Sequence, residues 1–323
     1  MDITILGCGV SGLTCGLRLI EAGFQVKILA YEIPPNTTSN TATALWYPYK
    51  AYPEERVLGW CKFAYEKFEE LSQVEASGVY FVELMTIFSQ PVGDPWWMDG
   101  VRGFRHAASS ELPATYKGGY VLEVPLIEAP IYMDYLVSEF KRRGGIIQKT
   151  ETEIEDLSSL YAETALLVNC SGIGAKQLCN DDDVYPIRGQ TIRMSNPSIT
   201  KSFLDTEAPA YLFARKNDCI VGGTAEEGNW ALDYDAKTAV KMLDKCLQID
   251  GSLKDAEVLE HIVGLRPGRK EVRLEAEHIA AANCWVVHNY GHGGAGFSLS
   301  WGCAEEVASL VEQILGSADI LDR

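Results

Sequence analysis

The sequence predicts an α/β fold in which two domains are interleaved along the chain. A strand, a glycine-rich turn, a helix and a second strand follow one another over residues 3–29. An apolar strand at 165–168 runs into a second glycine turn, after a β-rich stretch at 79–125. A last strand and a long helix close the chain at 284–315. Strands that alternate with helices, interrupted by β-rich segments, are typical of a parallel sheet with an inserted second domain.

The opening unit has the spacing of a dinucleotide-binding turn. Ile3 to Leu6 predict a buried strand, and Gly7, Gly9 and Gly12 follow it as G-x-G-x-x-G at the start of a helix. These glycines permit a tight turn, a close approach of backbone amides to a pyrophosphate, and close packing of helix on strand. The strand, turn and helix context makes the motif more specific than the three glycines alone.

Glu32 follows the second strand of that unit. A carboxylate at this position commonly binds a ribose hydroxyl of the dinucleotide. The alternative is a solvated charge at the end of a strand, and the sequence leaves both interpretations open.

The closing unit predicts a second place where the backbone approaches a ligand closely. A strand that ends at His288 is followed by four glycines and then by a helix over 297–315. A nicotinamide dehydrogenase does not need a second such turn, whereas a large flavin held at both ends does. His292 lies among the glycines and has two interpretations, a catalytic base or a hydrogen-bonded structural residue. The structural interpretation is favoured, because hydride transfer to a flavin needs no protein base.

Composition and charge exclude several classes of function. Lys and Arg number 28 against 45 Asp and Glu, so the net charge of −17 repels nucleic acids and anionic membranes. The nine cysteines are odd in number and contain no C-x-x-C pair, which predicts reduced thiols and no metal site. A basic, apolar leader and a membrane-length apolar segment are both missing from the sequence. We therefore expect a cytoplasmic protein with no nucleic-acid or membrane partner, and a homo-oligomer is compatible with this composition.

The run from Val286 to Gly296, followed by Gly302-Cys303-Ala304, resembles the signature of the D-amino-acid oxidase family, which includes D-aspartate oxidase. Supporting stretches lie at 44–49, 103–105, 169–172, 188–190, 222–224, 228–230, 264–267 and 272–275. The resemblance implies non-covalent FAD as cofactor and oxidative deamination of a D-amino acid with molecular oxygen. The expected products are a 2-oxo acid, ammonia and hydrogen peroxide.

The resemblance also implies how the two domains divide the chain. A Rossmann-like FAD-binding domain is expected to comprise residues 1–50, 130–185 and 267–323. A mixed-sheet α+β substrate-binding domain is expected to comprise residues 51–129 and 186–266.

Three residues match the substrate site of the family, and two others are candidates for its side-chain pocket. Arg266 matches the arginine that binds the substrate carboxylate, and a planar guanidinium suits a bidentate carboxylate contact. Tyr211 matches the tyrosine whose hydroxyl also reaches that carboxylate, and Gly294 matches the glycine whose carbonyl accepts from the amine. Tyr47 and Phe213 are expected to line the side-chain pocket.

A longer set of residues matches the FAD site of the family, with Thr152 placed near the adenine. The set is Gly7, Gly9, Val10, Ser11, Gly12, Glu32, Thr37, Thr38, Ser39, Thr43, Ala44, Leu45, Thr152, Ser171, Gly172, Gly291, Gly293, Gly296, Phe297 and Ser298.

The substrate side chain is the least transferable feature. Residues 198–210 form a shorter stretch than the active-site lid of mammalian members and carry Glu207 near the place of a lid tyrosine, so a lid is not supported. Tyr47 replaces a glutamine of those members. The aromatic residues near the expected pocket, among them Trp46 and Trp230, favour a neutral D-amino acid of moderate to large size.

Three alternatives remain open. D-aspartate oxidation would need a cation from Lys50, Lys201 or Arg215. An enzyme acting on glycine or N-methyl amino acids would use the same cofactor. A non-catalytic FAD-binding scaffold is the third alternative, and the presence of Arg266, Tyr211 and Gly294 together argues against it.

Overall fold

A computed structural model describes residues 2–195, 199–207 and 210–321 of the chain. Ser198 of the expected lid segment lies outside the described residues. The strands are β1 (Asp2–Leu6), β2 (Gln25–Ala30), β3 (Ala44–Leu45), β4 (Val79–Phe88), β5 (Arg102–His106), β6 (Gly118–Ile127), β7 (Ile146–Lys149), β8 (Leu166–Asn169), β9 (Tyr185–Ser195), β10 (Ser202–Asp205), β11 (Ala210–Ala214), β12 (Asp218–Gly222), β13 (Glu226–Glu227), β14 (Val258–Gly268), β15 (Arg273–Ile279) and β16 (Cys284–Tyr290). The helices are α1 (Val10–Glu21), α2 (Glu54–Leu71), α3 (Ala129–Arg142), α4 (Ser158–Tyr161), α5 (Ala175–Leu178), α6 (Ala236–Ile249) and α7 (Gly296–Leu321).

The chain divides into two compact units. Unit 1 comprises Met1–Val79, Ile127–Tyr185 and Arg266–Arg323, and unit 2 comprises Tyr80–Leu126 and Pro186–Leu265.

Unit 1 is built on a sheet in the order β15-β16-β8-β1-β2-β7. Strands β16, β8, β1, β2 and β7 are parallel, and β15 runs antiparallel to β16 at one edge. Ile3 and Ile5 of β1 are fully buried, as expected of a central parallel strand covered on both faces. Helix α1 packs against α3 and α7. The carboxyl ends of the parallel strands therefore meet at one edge of the sheet.

Unit 2 contains a mixed sheet in the order β13-β9-β12-β11-β10-β4-β6, with β14 beside β9 and β5 beside β6. The β4–β10 pair is parallel, whereas β10, β11, β12 and β9 pair antiparallel in succession. Helix α6 packs on β11 and β12 and buries Met242 and Cys246 in the core of this unit. The predicted α/β fold class is confirmed by the two units together.

Helix α2 lies in unit 1, whereas the sequence analysis assigned residues 51–129 to the other domain. The physical reason is its packing on α7. A Cβ atom at Gly302 would lie 2.3 Å from the Cα atom of Trp60, so the two helices approach closely at this point. The indole nitrogen of Trp60 also donates to Glu306, at 2.7 Å. The burial of α2 against a helix distant in sequence could not be read from its own periodicity.

We expect Gly302→Ala to destabilise the protein by about 1–3 kcal/mol, because the added methyl group would overlap the backbone of Trp60. Gly59→Ala is the matched control. Gly59 is a helical glycine of α2 with no heavy atom within 4 Å of an added Cβ, so the substitution should stabilise by about 0.5–1 kcal/mol. Urea unfolding of both variants measures the two changes, and a Gly302→Ala variant as stable as the wild type would contradict the close approach of the helices.

Candidate cofactor and substrate site

The carboxyl edge of the unit 1 sheet gathers five segments that are distant in sequence. They follow β1, β2, β7, β8 and β16, which run in the same direction. Ligands of open parallel sheets bind at this edge. The segments contain the expected cofactor residues at 7–12, 31–32, 150–152, 170–172 and 291–296.

The three glycines of the first turn have different surroundings. Gly7 has a φ of +104°, and a Cβ atom there would lie 2.4 Å from the carbonyl oxygen of Cys170. A Cβ at Gly12 would lie 2.0 Å from the carbonyl oxygen of Gly7. Gly9 is more open, since its nearest neighbour would be Ser39 Oγ at 3.1 Å. Gly7 and Gly12 are therefore required for packing, while Gly9 leaves room for a ligand to approach the backbone.

The start of α1 is bound by the segment that follows β2. Ser39 Oγ accepts a hydrogen bond from the amide of Val10 at 2.9 Å. Thr37 donates to Asn40 Oδ1 at 2.7 Å, which turns the amide nitrogen of Asn40 away from Thr37. The next amides of the helix, at Ser11 and Gly12, have no acceptor within the first turn, as at any helix start. The N-terminus of α1 is therefore suited to an anionic group.

Two buried polar atoms near this turn have no hydrogen-bond partner within the described ranges: Asn40 Nδ2 and Ser171 Oγ. Asn40 adjoins Ser39, and Ser171 adjoins Cys170, so both are neighbours in sequence of residues that contact the turn. A buried polar atom without a partner costs about 1–3 kcal/mol. A ligand rich in phosphate and hydroxyl oxygens would remove that cost, so the residues present fit a dinucleotide such as FAD. Sequence reasoning missed Asn40, although it lies in the polar run that contains Thr37, Thr38 and Ser39.

Glu32 and Thr152 lie at neighbouring strand ends. Glu32 follows β2 and is exposed. Thr152 follows β7, which pairs with β2, and the amide of Thr150 donates to Ala30 O at 2.9 Å. Thr152 is also exposed, and its carbonyl accepts from the Thr150 hydroxyl. Both expected adenosine contacts therefore lie on one side of the glycine turn.

The glycine loop after β16 packs against residues 44–50. Ser298 donates to the carbonyl of Tyr47 at 3.0 Å and accepts from its amide at 2.9 Å. A Cβ at Gly293 would lie 2.1 Å from the carbonyl oxygen of Lys50, and one at Gly294 would lie 2.5 Å from the Tyr49 ring. These contacts bring the expected cofactor residues Thr43, Ala44 and Leu45 into the same region as Gly291, Gly296 and Phe297.

His292 is buried in this loop, and its Nε2 atom lies 2.8 Å from Asn289 Oδ1. Burial lowers the pKa of His292 to about 4, so the ring is neutral at pH 7. Asn289 in turn donates to Cys15 Sγ at 3.2 Å. These contacts support the interpretation of His292 as a structural residue.

The segments that carry Arg266 and Gly294 are adjacent within unit 1. The amide of Gly293 donates to the carbonyl of Pro267 at 2.8 Å, so the residues that follow Arg266 and precede Gly294 are directly joined. Arg266 is half-buried. A guanidinium and a backbone carbonyl at this place could bind the carboxylate and the amine of one small molecule.

Tyr211 and Phe213 belong to unit 2, where they stack on the same face of β11 with ring centroids 4.7 Å apart. A Cβ at Gly222 would lie 2.3 Å from the Tyr211 ring, and one at Gly223 would lie 2.7 Å from it. The two glycines therefore make room for the tyrosine and fix the plane of its ring.

One of the aromatic residues expected near a substrate pocket lies in the core instead. Trp46 is fully buried in unit 1, where its indole nitrogen donates to Cys61 O at 3.0 Å and its ring meets Tyr65 edge-on. Trp230 is 51% exposed. Trp46 is therefore a core residue, and the expectation that it lines a pocket is wrong. The described part of the chain also contains no group of three or more His, Cys, Asp or Glu residues arranged to hold a metal ion.

We expect His292 to make stability depend on pH. The unfolded chain binds a proton at the ordinary pKa of 6.5, whereas the folded chain resists protonation down to about 4. The contribution of His292 to the free energy of unfolding is therefore fully present above pH 6.5. About 3 kcal/mol of it is lost as the pH falls from 6.5 to about 4. His292→Gln, which cannot be protonated, should remove that part of the pH dependence in urea unfolding. An unchanged pH dependence in the variant would show that His292 is not buried in its neutral form.

Comparison with known proteins finds relatives over nearly the whole chain. The family model described as FAD dependent oxidoreductase matches residues 2–310. A D-amino-acid oxidase of Rubrobacter xylanophilus is 45% identical, with 95% of this chain and 94% of that protein covered. A D-aspartate oxidase of Homo sapiens is 33% identical, with 96% and 94% covered.

The fold is shared with more distant proteins. The crystal structure of glycine oxidase from Geobacillus kaustophilus matches with a TM-score of 0.79 at 18% identity, covering 97% of this chain and 94% of that one. The sequence match extends over nearly the whole chain and includes both units. The chain therefore belongs to the family of FAD-dependent oxidoreductases that includes the D-amino-acid oxidases.

Proposed function

We propose that the protein is an FAD-dependent oxidase of neutral D-amino acids, which produces a 2-oxo acid, ammonia and hydrogen peroxide. The observation that carries the proposal is the hydrogen bond between Gly293 N and Pro267 O. It joins the neighbours in sequence of Arg266 and Gly294, at the sheet edge that also carries the dinucleotide turn. The relatives at 45% and 33% identity, named for oxidation of D-amino acids and of D-aspartate, support the same reaction class.

The chain orients the substrate in this proposal. The Arg266 guanidinium binds the substrate carboxylate, and the Gly294 carbonyl accepts from the amine. The resemblance adds the Tyr211 hydroxyl as a second carboxylate ligand and Phe213 and Tyr47 as side-chain contacts. With carboxylate, amine and side chain each held, only one enantiomer directs its Cα hydrogen toward the cofactor.

FAD, when bound, supplies the acceptor for the hydride that leaves Cα and passes the electron pair to molecular oxygen. The resulting imino acid takes up water and loses ammonia. His292 is buried with its Nε2 atom bonded to Asn289, and its lowered pKa makes it a weak base, so the proposal gives it no part in moving the amine protons. Binding and orientation are the contributions of the protein, and the redox step belongs to the cofactor.

The residues at the carboxyl edge of the unit 1 sheet are proposed to hold FAD without a covalent bond. The nine cysteines are free thiols, and eight of them are buried, which supports a reducing, cytoplasmic location. No helix in the described ranges is long and apolar enough to cross a bilayer.

The preference for neutral side chains is supported by the pairing of Arg215. Its guanidinium donates to Asp218 Oδ2 at 2.6 Å and also contacts Oδ1, and the two side chains are only 13% and 11% exposed. A cation already neutralised in this way offers little to a second carboxylate. Lys201, another of the three candidate cations, is exposed. The pairing of Arg215 with Asp218 therefore removes one candidate partner for an acidic substrate side chain.

We expect Arg266→Leu to raise the KM for the preferred D-amino acid steeply, because loss of one partner of a buried carboxylate pair costs about 2–5 kcal/mol. Steady-state peroxide formation at several substrate concentrations measures the change. Arg142→Gln is the control, since Arg142 is exposed and pairs with Glu139 on the surface of α3. If the KM of Arg266→Leu stayed within about twofold of the wild-type value, Arg266 would not be the carboxylate ligand.

We expect kcat/KM for D-methionine or D-phenylalanine to exceed that for D-aspartate by at least about tenfold, or ~1.4 kcal/mol. The measurement is a panel of these amino acids with D-alanine, the L-enantiomers, glycine and N-methylglycine, assayed for peroxide. A preference for D-aspartate would overturn only the neutral pocket. A preference for glycine or N-methylglycine would place the enzyme in that alternative class, and FAD retention without any turnover would indicate a scaffold.

A further inference from the structure

We propose that Asp181 is a positioning residue for substrate binding, which holds Arg266 and Gly294 in their mutual arrangement through Arg269 and Tyr290. The inference rests on the proposed function, because it assigns a role in binding the same substrate. Asp181 belongs to none of the motifs that identified the cofactor and substrate residues.

A tight turn directs the Asp181 side chain into unit 1. Helix α5 ends at Leu178, Asn180 takes a left-handed conformation with a φ of +48°, and the amide of Asp181 donates to Lys176 O at 3.0 Å. The amide of Asp183 donates to Asp181 Oδ1 at 3.1 Å, which fixes the carboxylate further. The Asp181 side chain is 10% exposed.

One oxygen of Asp181 accepts two hydrogen bonds. Arg269 Nε donates to Oδ2 at 2.9 Å, and the Tyr290 hydroxyl donates to the same atom at 2.8 Å. The Tyr290 hydroxyl itself accepts from Arg273 at 2.8 Å. Burial opposes ionisation of Asp181, but the hydrogen bonds from Tyr290 and Arg269 prevail and hold its pKa below the usual value. Asp181 is therefore a charged anchor at neutral pH.

Arg269 connects the anchor to the segment that carries Arg266. It lies three residues after Arg266, and Pro267 between them accepts from Gly293. The side chain of Arg269 also packs on the glycine loop, because a Cβ at Gly291 would lie 2.8 Å from both Cβ and Cδ of Arg269. Holding the guanidinium of Arg269 therefore holds its stem against the loop.

Tyr290 connects the same anchor to the segment that carries Gly294. It is the last residue of β16 and directly precedes Gly291, whose φ of +81° begins the loop. Tyr290 is fully buried. One carboxylate thus fixes both backbone segments whose separation determines whether Arg266 and Gly294 can bind the carboxylate and amine of one molecule. Small errors in such a separation are costly, since misplacement by about 1 Å can cost on the order of 100-fold in rate.

The test compares purified, FAD-loaded wild type, Asp181→Asn and Asp183→Asn, with rates expressed per bound FAD. We expect Asp181→Asn to raise the KM for the preferred D-amino acid at least about tenfold and to change kcat by less than about threefold. A residue with only a structural role would lower the FAD-loaded fraction or the melting temperature and leave the KM of the loaded enzyme unchanged. Asp183→Asn is the matched control, because Asp183 is 64% exposed and lies 3.8 Å from Arg269; its KM should stay within about twofold.

A second variant keeps the proposal falsifiable if Asp181→Asn does not fold. Arg269→Gln leaves Asp181 its contact with Tyr290 and should raise the KM at least about fivefold. Combining Arg269→Gln with Asp181→Asn should raise the KM less than the product of the two single effects, because both act through one contact.

An unchanged KM in loaded Asp181→Asn, or in Arg269→Gln where the first variant is not obtained, would overturn the role of Asp181. The proposed function is judged separately, by turnover of the wild type and by the KM of Arg266→Leu in the same assay.

Discussion

The close contact between the turn after β1 and the end of β8 is the constraint on which the site depends. At Gly7 a side chain is excluded, because a Cβ atom would lie 2.4 Å from the carbonyl oxygen of Cys170. Gly12 is confined in the same way against the carbonyl of Gly7. Strand β8 lies between β1 and β16, so this contact also sets the distance to the closing glycine loop. The packing of Gly7 on Cys170 therefore positions three parts of the site: the start of α1, Ser171 and the loop at 291–296.

The same edge of the sheet contains buried polar atoms that a bound dinucleotide would satisfy. Asn40 Nδ2 and Ser171 Oγ are buried without partners in the described part of the chain, although buried polar atoms are nearly always satisfied in folded proteins. Cofactor binding and stability are thereby coupled: a ligand that satisfies these atoms stabilises the folded chain. Elsewhere in unit 1 buried charges are paired, as between Arg269 and Asp181. Unit 1 thus contains polar groups that are paired within the chain and others that a ligand would pair.

The sequence by itself determined the fold class and predicted which edge of the sheet would hold the cofactor. Gly7, Gly9 and Gly12 could be interpreted because their spacing reports a local backbone geometry that other residues cannot adopt at such close contacts. The same holds for the glycines after β16. Strand-to-helix order then implies which strand ends meet, since parallel strands joined by helices place their carboxyl ends at one edge. The five segments that contain the expected cofactor residues follow these parallel strands and meet at that edge for this reason.

The tertiary structure alone decided which side chains are available to a ligand. Trp46 and Arg215 have suitable chemistry for a substrate pocket, yet one is a core residue bound to Cys61 and the other is neutralised by Asp218. Helix α2 belongs to unit 1 because Gly302 of α7, which has no side chain, lets the backbone of Trp60 pack against it. Asp181 gives no sequence signal, since its partners Arg269 and Tyr290 are about 90 and 110 positions away in sequence. Which side chains are buried, and which residues they contact, depends on residues that are distant in sequence. A local sequence pattern therefore cannot predict either property.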